Sequence, residues 1–146
     1  MFNIILDYPT YEEELEVVKR TTGDCVQQVQ PIIKAEEIIE FQGLVKKVPV
    51  VDNVIEYAVN LVNKTRPNTE RSSQVTQTYL EWGAGPRASQ NLIMAAKCNA
   101  ILNGKYSPDI EDVQAVAHAI LRHRVIRNFK AEAEGVSLEE IISKLL

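Results

Sequence analysis

The sequence predicts an all-α protein, a small helical bundle of five or six helices with one short strand at its N-terminus. Four helix-start signals support this prediction, at Thr10, Asp52, Pro86 and Ser107. Apolar residues follow each start at helical spacing. With 146 residues, of which 45% are hydrophobic and 25% charged, the chain can bury one ordinary core.

The N-terminal stretch combines an apolar run with a helix start. Residues 2–6 are apolar and partly β-branched, which predicts a strand. Because a single strand is not stable alone, its partner strands are predicted to lie outside this chain. Thr10, with a glutamate three residues later, has the pattern of a capping box and starts a helix that reaches about Thr21. Gly23 and Asp24 are predicted to end it.

The following stretch predicts an extended segment and then two helices. Residues 25–33 are predicted to be a loop or a short strand. Apolar residues near helical spacing begin at Ala35, and Pro49 separates this helix from the next. Asp52 is predicted to cap the second helix, which carries a wide apolar stripe.

The second half of the chain predicts a polar loop and three helices. Residues 66–78 are the least apolar part and predict a loop, followed by a short extended piece. Pro86 suits a first helical position, and Gly104 is predicted to end that helix. Ser107 is predicted to cap the next helix, with the proline after it at the first helical position. A second capping box at Ser137 starts a short final helix.

Arg87 occupies the first turn of the predicted Pro86 helix, where acidic residues are usually favoured. An arginine there adds positive charge to the partial positive charge of the helix end, an arrangement that suits a bound anion. Its planar guanidinium and the free backbone N–H groups of a first turn fit a phosphate. A solvated surface arginine explains the same residue equally well, so both alternatives stay open at this point.

The residues around Arg87 resemble a known family. They read Gly-Ala-Gly-Pro-Arg-Ala-Ser at 83–89, after Tyr-Leu-Glu-Trp at 79–82 and before Leu-Arg-His-Arg at 121–124. Together they resemble the sensor 2 region of the MoxR family of AAA+ ATPases. The similarity includes Leu-Asp-Tyr-Pro at 6–9 and Ala-Glu-Ala-Glu-Gly at 131–135, and so extends over nearly the whole chain. The chain resembles only the C-terminal lid of such a protein.

The resemblance implies a domain division and a nucleotide site. Residues 1–10 would be the end of the ATPase core, its last strand and linker, and residues 11–146 a helical lid of the AAA+ type. Arg87 would be the catalytic sensor 2 arginine that reaches the γ-phosphate of ATP, and Pro86 and Tyr8 would also contact the nucleotide. ATP and Mg²⁺ would be the cofactors of the full-length protein, with none expected on this chain alone.

The resemblance also implies an activity that this chain lacks by itself. A P-loop of the form GxxxxGK[ST] and a set of Mg²⁺-binding acids are missing from the sequence, so the full-length protein is expected to be an ATPase and this chain inactive. The lid would couple nucleotide state to ring motion in chaperone-like assembly or activation of protein complexes. The implied partners are the ATPase core, a homo-oligomeric ring, expected to be a hexamer, and a protein with a von Willebrand factor A domain.

Composition and spacing argue against several other classes of site. A net charge of -4 argues against nucleic acid as the main partner. His118 and His123 lack the i, i+4 spacing of a helical metal site, and Cys25 and Cys98 lack CxxC spacing. No metal site is therefore predicted, and both thiols are expected to be reduced. No apolar run is long enough to span a membrane and no secretory signal is visible, which predicts a cytoplasmic protein.

A second class of function remains open on the sequence alone. The chain could be a free-standing helical module that binds protein or nucleic acid through the basic region at 122–130. The dipole of the preceding helix already favours cations at this place, so the charges by themselves do not decide between the two classes.

Overall fold

The computed structural model describes residues 1–23 and 29–146, which contain eight helices and one two-stranded antiparallel sheet. In chain order the elements are α1 Tyr11–Thr21, α2 Ala35–Lys47, α3 Asp52–Lys64, α4 Gln74–Tyr79, β1 Leu80–Trp82, α5 Pro86–Leu102, α6 Ile110–Leu121, β2 Ile126–Arg127, α7 Phe129–Ala133 and α8 Leu138–Ser143. The predicted all-α class is confirmed. The predicted helix end at Asp24 and the predicted thiol of Cys25 lie outside the described residues.

The core is built around α5, which packs most extensively against α6 and also against α3 and α2. The buried residues of α5 are four alanines and Leu92, so most of its buried side chains are small. Small residues let helix backbones approach closely, and larger side chains from α3 and α6 belong to the same core. The largest fully buried apolar side chains are Leu61, Leu92, Ile120, Leu121, Ile141 and Ile142.

Two capping boxes form as the sequence predicts. In the first, the Thr10 hydroxyl accepts from the Glu13 N–H at 3.3 Å, and the Glu13 carboxylate accepts from the Thr10 N–H at 2.8 Å. Ser137 and Glu140 repeat the arrangement at 3.2 Å and 2.8 Å, at the start of α8. Each box satisfies two backbone N–H donors that a helix start otherwise leaves to water.

The box at α8 makes the stability of the domain depend on pH. The Ser137 backbone N–H, and then its hydroxyl, lower the pKa of Glu140 below its ordinary value of 4.5. A carboxyl whose pKa is depressed on folding stabilises the fold above its unfolded pKa, and this stabilisation is lost as pH falls through the folded pKa. Glu140→Gln keeps the box without a titrating group. We therefore expect its melting temperature to fall less than that of the wild type between about pH 5 and pH 3.

Two predicted helix starts are wrong by one or two residues. Asp52 is the first helical residue rather than the cap, and Val51 precedes it in extended conformation. The cap of α6 is Asp109, not Ser107, because the Asp109 carboxylate accepts from the Asp112 N–H at 3.1 Å and Asp112 accepts from the Asp109 N–H at 3.0 Å. The Ser107 hydroxyl instead donates to the carbonyl of Pro49.

The prediction of a continuous loop over residues 66–78 is also wrong. The Ser73 hydroxyl accepts from the Thr76 N–H at 3.1 Å and starts α4, which leads directly into β1. β1 pairs with β2 through Leu80 opposite Arg127 and Trp82 opposite Ile126. Elements this short depend on tertiary contacts more than on local sequence, and neither β2 nor α7 was predicted.

The N-terminal strand, predicted with its partner strands outside this chain, does not form among the described residues. Residues 1–10 belong to no strand. A strand exists only where a neighbour shares its ladder of hydrogen bonds, and the described residues offer residues 2–6 no such neighbour. The segment instead lies beside α6, where the Asn3 N–H donates to the Ala119 carbonyl at 2.7 Å.

The two N-terminal helices α1 and α2 bury none of their residues. Their apolar side chains, among them Leu15, Ile39 and Phe41, are exposed in this chain. None of the helices in the described parts of the chain combines the length and the apolar character needed to cross a bilayer.

Candidate functional site

Arg87 lies in the first turn of α5, immediately after Pro86 at the first helical position. Its side chain is exposed. Gly85 provides no side chain to cap the helix, and the first turn contains no acidic residue. Among the described residues, no ion pair or side-chain hydrogen bond involves the Arg87 guanidinium. A cationic side chain thus stands at the positive end of a helix with no acid from its own element to neutralise it.

The loop before α5 is held by the end of α3. The buried Thr65 hydroxyl donates to the Val62 carbonyl at 2.6 Å and accepts from the Ala84 N–H at 2.9 Å. Arg66 Nε donates to the Ala84 carbonyl at 2.9 Å, and its Nη1 donates to Asn63 Oδ1 at 3.0 Å. Both backbone groups of Ala84 are therefore bonded to the two residues that directly follow α3, which fixes the start of α5 and the position of Arg87.

Gly83 lets the loop approach α3 closely enough for these bonds. A Cβ at this position would lie 2.3 Å from the Thr65 carbonyl oxygen and 2.5 Å from Arg66 Cα. Real Cβ atoms do not tolerate such distances from backbone atoms, so a glycine is required here by close approach. By contrast, a Cβ at Gly85 would meet nothing within 4 Å.

A cleft of about 550 Å³ lies beside the loop. Trp82 forms part of its wall, with 64% of the residue exposed. Asn68 lies on another side, with a φ of 61°, in the left-handed region that asparagine tolerates better than most residues. The cleft also touches Glu81 and Pro86, so one acidic side chain stands near the start of α5.

The structure brings Pro86 and Arg87 together but does not bring Tyr8 to them. Pro86 lines the cleft, whereas Tyr8 is 99% exposed in the segment before α1 and is not among the residues that line it. Thr65 and Arg66, which hold the loop, were missed by the sequence reasoning. Their only local signal is a Thr-Arg pair at a helix end, and nothing in that pair predicts contact with a loop about 20 residues away along the chain.

The two histidines lie in different surroundings. His118 Nδ1 is 2.5 Å from Glu139 Oε2, and its Nε2 is 3.3 Å from the Ser143 hydroxyl. Burial, followed by the positive charges of Arg124, the N-terminus and Arg122, lowers the pKa of His123. Within residues 1–23 and 29–146 no group of three or more His, Cys, Asp or Glu side chains could hold a metal ion, and Cys98 is a free thiol.

The fold and the Arg87 loop define a small helical lid domain. The AAA lid domain family matches residues 72–145, about half of the chain, and the chain belongs to that family. The match includes β1, the Gly83–Arg87 loop and every later element of the structure, with the N-terminal helices outside it.

Longer relatives match the whole chain. Chaperone MoxR1 of Mycobacterium tuberculosis is 30% identical over 146 residues, which are all of this chain and 38% of that protein. The uncharacterized protein YeaC of Bacillus subtilis is 29% identical over 147 residues, again all of this chain and 43% of the relative. A crystal structure of "a putative ATPase" from Cytophaga hutchinsonii superposes with a TM-score of 0.84 and 36% identity over 99% of this chain and 44% of that one. The predicted resemblance to the lid of MoxR-type AAA+ ATPases is confirmed, and the chain spans less than half the length of these relatives.

Proposed function

We propose that this lid works with an ATPase core and contacts the γ-phosphate of ATP bound there through Arg87. The observation that carries the proposal is the exposed guanidinium of Arg87 in the first turn of α5, at a helix start without an acidic residue. Such a position is favourable for a cation only when an anion is near it. The hydrogen bonds of Ala84 with Thr65 and Arg66 fix the position of this helix start. A side chain that senses a phosphate must be held in a fixed position in this way.

The physical basis is the difference between ATP and ADP. A guanidinium presents several donors in a plane and bonds phosphate oxygens more strongly than neutral donors do. Loss of the γ-phosphate removes that contact, and a contact that exists in one nucleotide state only shifts the equilibrium position of the lid. The lid would in this way report hydrolysis to the rest of the assembly.

The residues present fit the phosphate part of the nucleotide. Arg87 and the uncapped first turn of α5 would hold an anion, and Pro86 beside the cleft would contact the nucleotide next to it. ATP with its Mg²⁺ supplies the phosphoryl group that is transferred to water, and the metal would be held by acids of the core. A role for Tyr8 rests on the resemblance alone.

The properties of the whole protein are proposed from its family. Residues 1–10 would end the core and residues 11–146 would form the lid, in a cytoplasmic ATPase that assembles as a hexameric ring. MoxR1 is named a chaperone, and a chaperone-like role in assembling or activating protein complexes, with a von Willebrand factor A domain protein as partner, is the corresponding proposal here.

The geometry does not favour the free-standing module that binds through residues 122–130. Arg122 is 2.9 Å from the Glu139 carboxylate, and Arg127 donates to a backbone carbonyl at 2.8 Å. Arg124 also donates to a backbone carbonyl, and the lowered pKa of His123 leaves that ring less charged at neutral pH. These cations serve the internal structure of the domain, which leaves few of them for a phosphate backbone.

Nucleotide affinities of the full-length protein test the proposal. We expect Arg87→Ala to weaken ATP binding by about 10-fold or more while ADP binding stays unchanged, since hydrogen bonds to charged groups contribute about 1.5–3 kcal/mol. Arg71→Ala, at another exposed arginine, is the control and should change neither affinity. Equal losses for ATP and ADP would show that Arg87 does not distinguish the γ-phosphate.

A further inference from the structure

A groove of about 360 Å³ lies between the end of α2 and the end of α5. Its apolar lining comes from Leu44, Val48 and Pro49 on one side and from Ile101 and Tyr106 on the other. Two of these residues remain in contact with water, since Leu44 is 53% exposed and Tyr106 is 93% exposed. A partner that covers exposed apolar groups gains free energy from their burial, so such a groove is a candidate binding site.

Hydrogen bonds hold the two sides of the groove together. The Ser107 hydroxyl donates to the Pro49 carbonyl at 3.1 Å, and Lys97 Nζ donates to the Lys46 carbonyl at 3.2 Å. The helices α2 and α5 also pack directly against each other. Because these contacts fix the walls of the groove, its residues lose little conformational entropy when a partner binds.

Lysines supply the charges around the groove. Lys47 and Lys105 line it, and Lys46 precedes Lys47 on α2. The Lys105 ammonium is paired with Asp109 at 2.8 Å and with Asp112 at 3.1 Å. In the described part of the chain no ion pair involves Lys46 or Lys47, and both residues are exposed. Two cations are therefore available at this place on a chain whose net charge is -4.

An apolar groove with cations at its rim is complementary to a ligand that is both apolar and acidic. The dipole of α2 favours lysines at its C-terminal end, but it does not explain the apolar residues beside them. In protein interfaces a large apolar side chain that fills a pocket supplies most of the affinity, and charges at the rim supply specificity. An acidic peptide segment with one large apolar side chain has both features.

Two other anionic partners are less complementary to the groove. Anionic membranes are recognised by clusters of about 4–8 basic residues, and nucleic acids by many contacts between cations and phosphates. Two available lysines on an acidic chain supply neither. A membrane surface is also too flat to fill a groove between two helix ends.

The groove lies far from the proposed nucleotide contact. Arg87 is at the start of α5, whereas the groove is at its end, and the 17 residues of this helix place its two ends about 25 Å apart. A partner in the groove therefore does not compete with a nucleotide for Arg87.

We propose that this groove docks an acidic segment of a partner protein. The segment inserts one large apolar side chain between Leu44 and Tyr106 and places its carboxylates beside Lys46 and Lys47. This docking goes beyond the proposed nucleotide contact and does not depend on it.

Peptide binding to the full-length protein, measured by fluorescence anisotropy, tests the proposal. The probe is a fluorescein-labelled peptide, Glu-Glu-Trp-Leu-Glu-Glu. One control peptide has serine in place of tryptophan and leucine, and the other has lysine in place of every glutamate. Each control lacks one of the two features that the groove recognises, so we expect both to bind at least about fivefold more weakly. A probe that does not bind, or three peptides that bind equally, would overturn the proposal.

Charge reversal tests the rim of the groove. Lys46→Glu combined with Lys47→Glu should weaken binding of the probe at least about fivefold, because like charges then face each other. Lys19→Glu combined with Lys144→Glu is the control, since it changes the net charge equally at exposed lysines that do not line the groove. Equal losses in the two double variants would show a general effect of charge and contradict docking in the groove.

Tyr106→Ser tests the apolar wall. Because Tyr106 is 93% exposed, its replacement should leave the fold intact, yet weaken binding of the probe at least about fivefold. Tyr11→Ser, at a tyrosine of α1 that is 77% exposed, is the matched control and should bind the probe as the wild type does. Unchanged binding in Tyr106→Ser would contradict the proposed position of the anchor.

Two further measurements separate this docking from the nucleotide contact and from a membrane. Arg87→Ala should bind the probe as the wild type does, and the Lys46 and Lys47 double variant should keep the wild-type affinity for ATP. An Arg87 variant with unchanged ATP affinity would refute only the nucleotide contact, whereas loss of probe binding in that variant would refute the independence of the groove. Vesicles that contain phosphatidylserine should bind the protein more weakly than the probe does, and tighter binding through these lysines would overturn the proposal of a protein partner.

Discussion

Arg87→Ala should lower the ATP turnover of the full-length protein by a factor of about 10² to 10³ at saturating ATP. Removal of one preorganised donor to charge that develops in a transition state has an effect of this size. The donor is preorganised here because Ala84 is bonded to Thr65 and Arg66, which fixes the first turn of α5. The measurement is steady-state phosphate release by wild type and variant.

Arg87→Lys distinguishes a guanidinium contact from a general need for positive charge. A lysine keeps the charge but not the planar pair of donors, so it should restore little of the lost turnover. Both variants should leave the stability of the lid within about 0.5 kcal/mol, because Arg87 is exposed and touches no partner among the described residues. Arg20→Ala is the control, at an exposed arginine of α1. If Arg87→Ala hydrolysed ATP at the wild-type rate, Arg87 would be a solvated surface arginine and not a phosphate sensor.

The parts of the fold that local chemistry determines could be predicted from the sequence. The capping boxes at Thr10 and Ser137 form as expected because both partners lie three residues apart. The Pro86 helix starts at the predicted residue, and Gly104, with a φ of 71°, follows its end. Such signals involve only one turn of chain, so no knowledge of the rest of the molecule is needed.

The parts that depend on tertiary contacts could not be predicted. Asp109 rather than Ser107 caps α6, and its partner Asp112 is buried and also bonded by Asn99 and Lys105. That network is visible only in three dimensions. The strand pair β1 and β2 joins distant segments. Residues 2–6 form no strand in this chain, because a strand also needs a distant neighbour. For the site, the sequence indicated Arg87 but not the two residues that hold its loop.

Gly83→Ala should be the most destabilising small substitution in the candidate site, by about 3 kcal/mol in the free energy of unfolding. The added methyl would lie 2.3 Å from the Thr65 carbonyl oxygen and 2.7 Å from its carbonyl carbon. Backbone atoms cannot rotate away as a flexible side chain would, so the loop must move off α3. That movement breaks the bonds of Ala84 to Thr65 and Arg66 and leaves the buried Ala84 N–H without a partner.

Gly85→Ala is the matched control, because it adds the same methyl group two residues further along. Nothing lies within 4 Å of that position, and Gly85 has a φ of −84°, which alanine adopts without strain. Its cost should stay below about 1 kcal/mol, arising from the poorer capping by alanine. Urea unfolding of the chain followed by circular dichroism measures both variants. If Gly83→Ala were no less stable than Gly85→Ala, the close approach to Thr65 would not be what fixes Arg87, and the rigidity attributed to the sensor loop would need another origin.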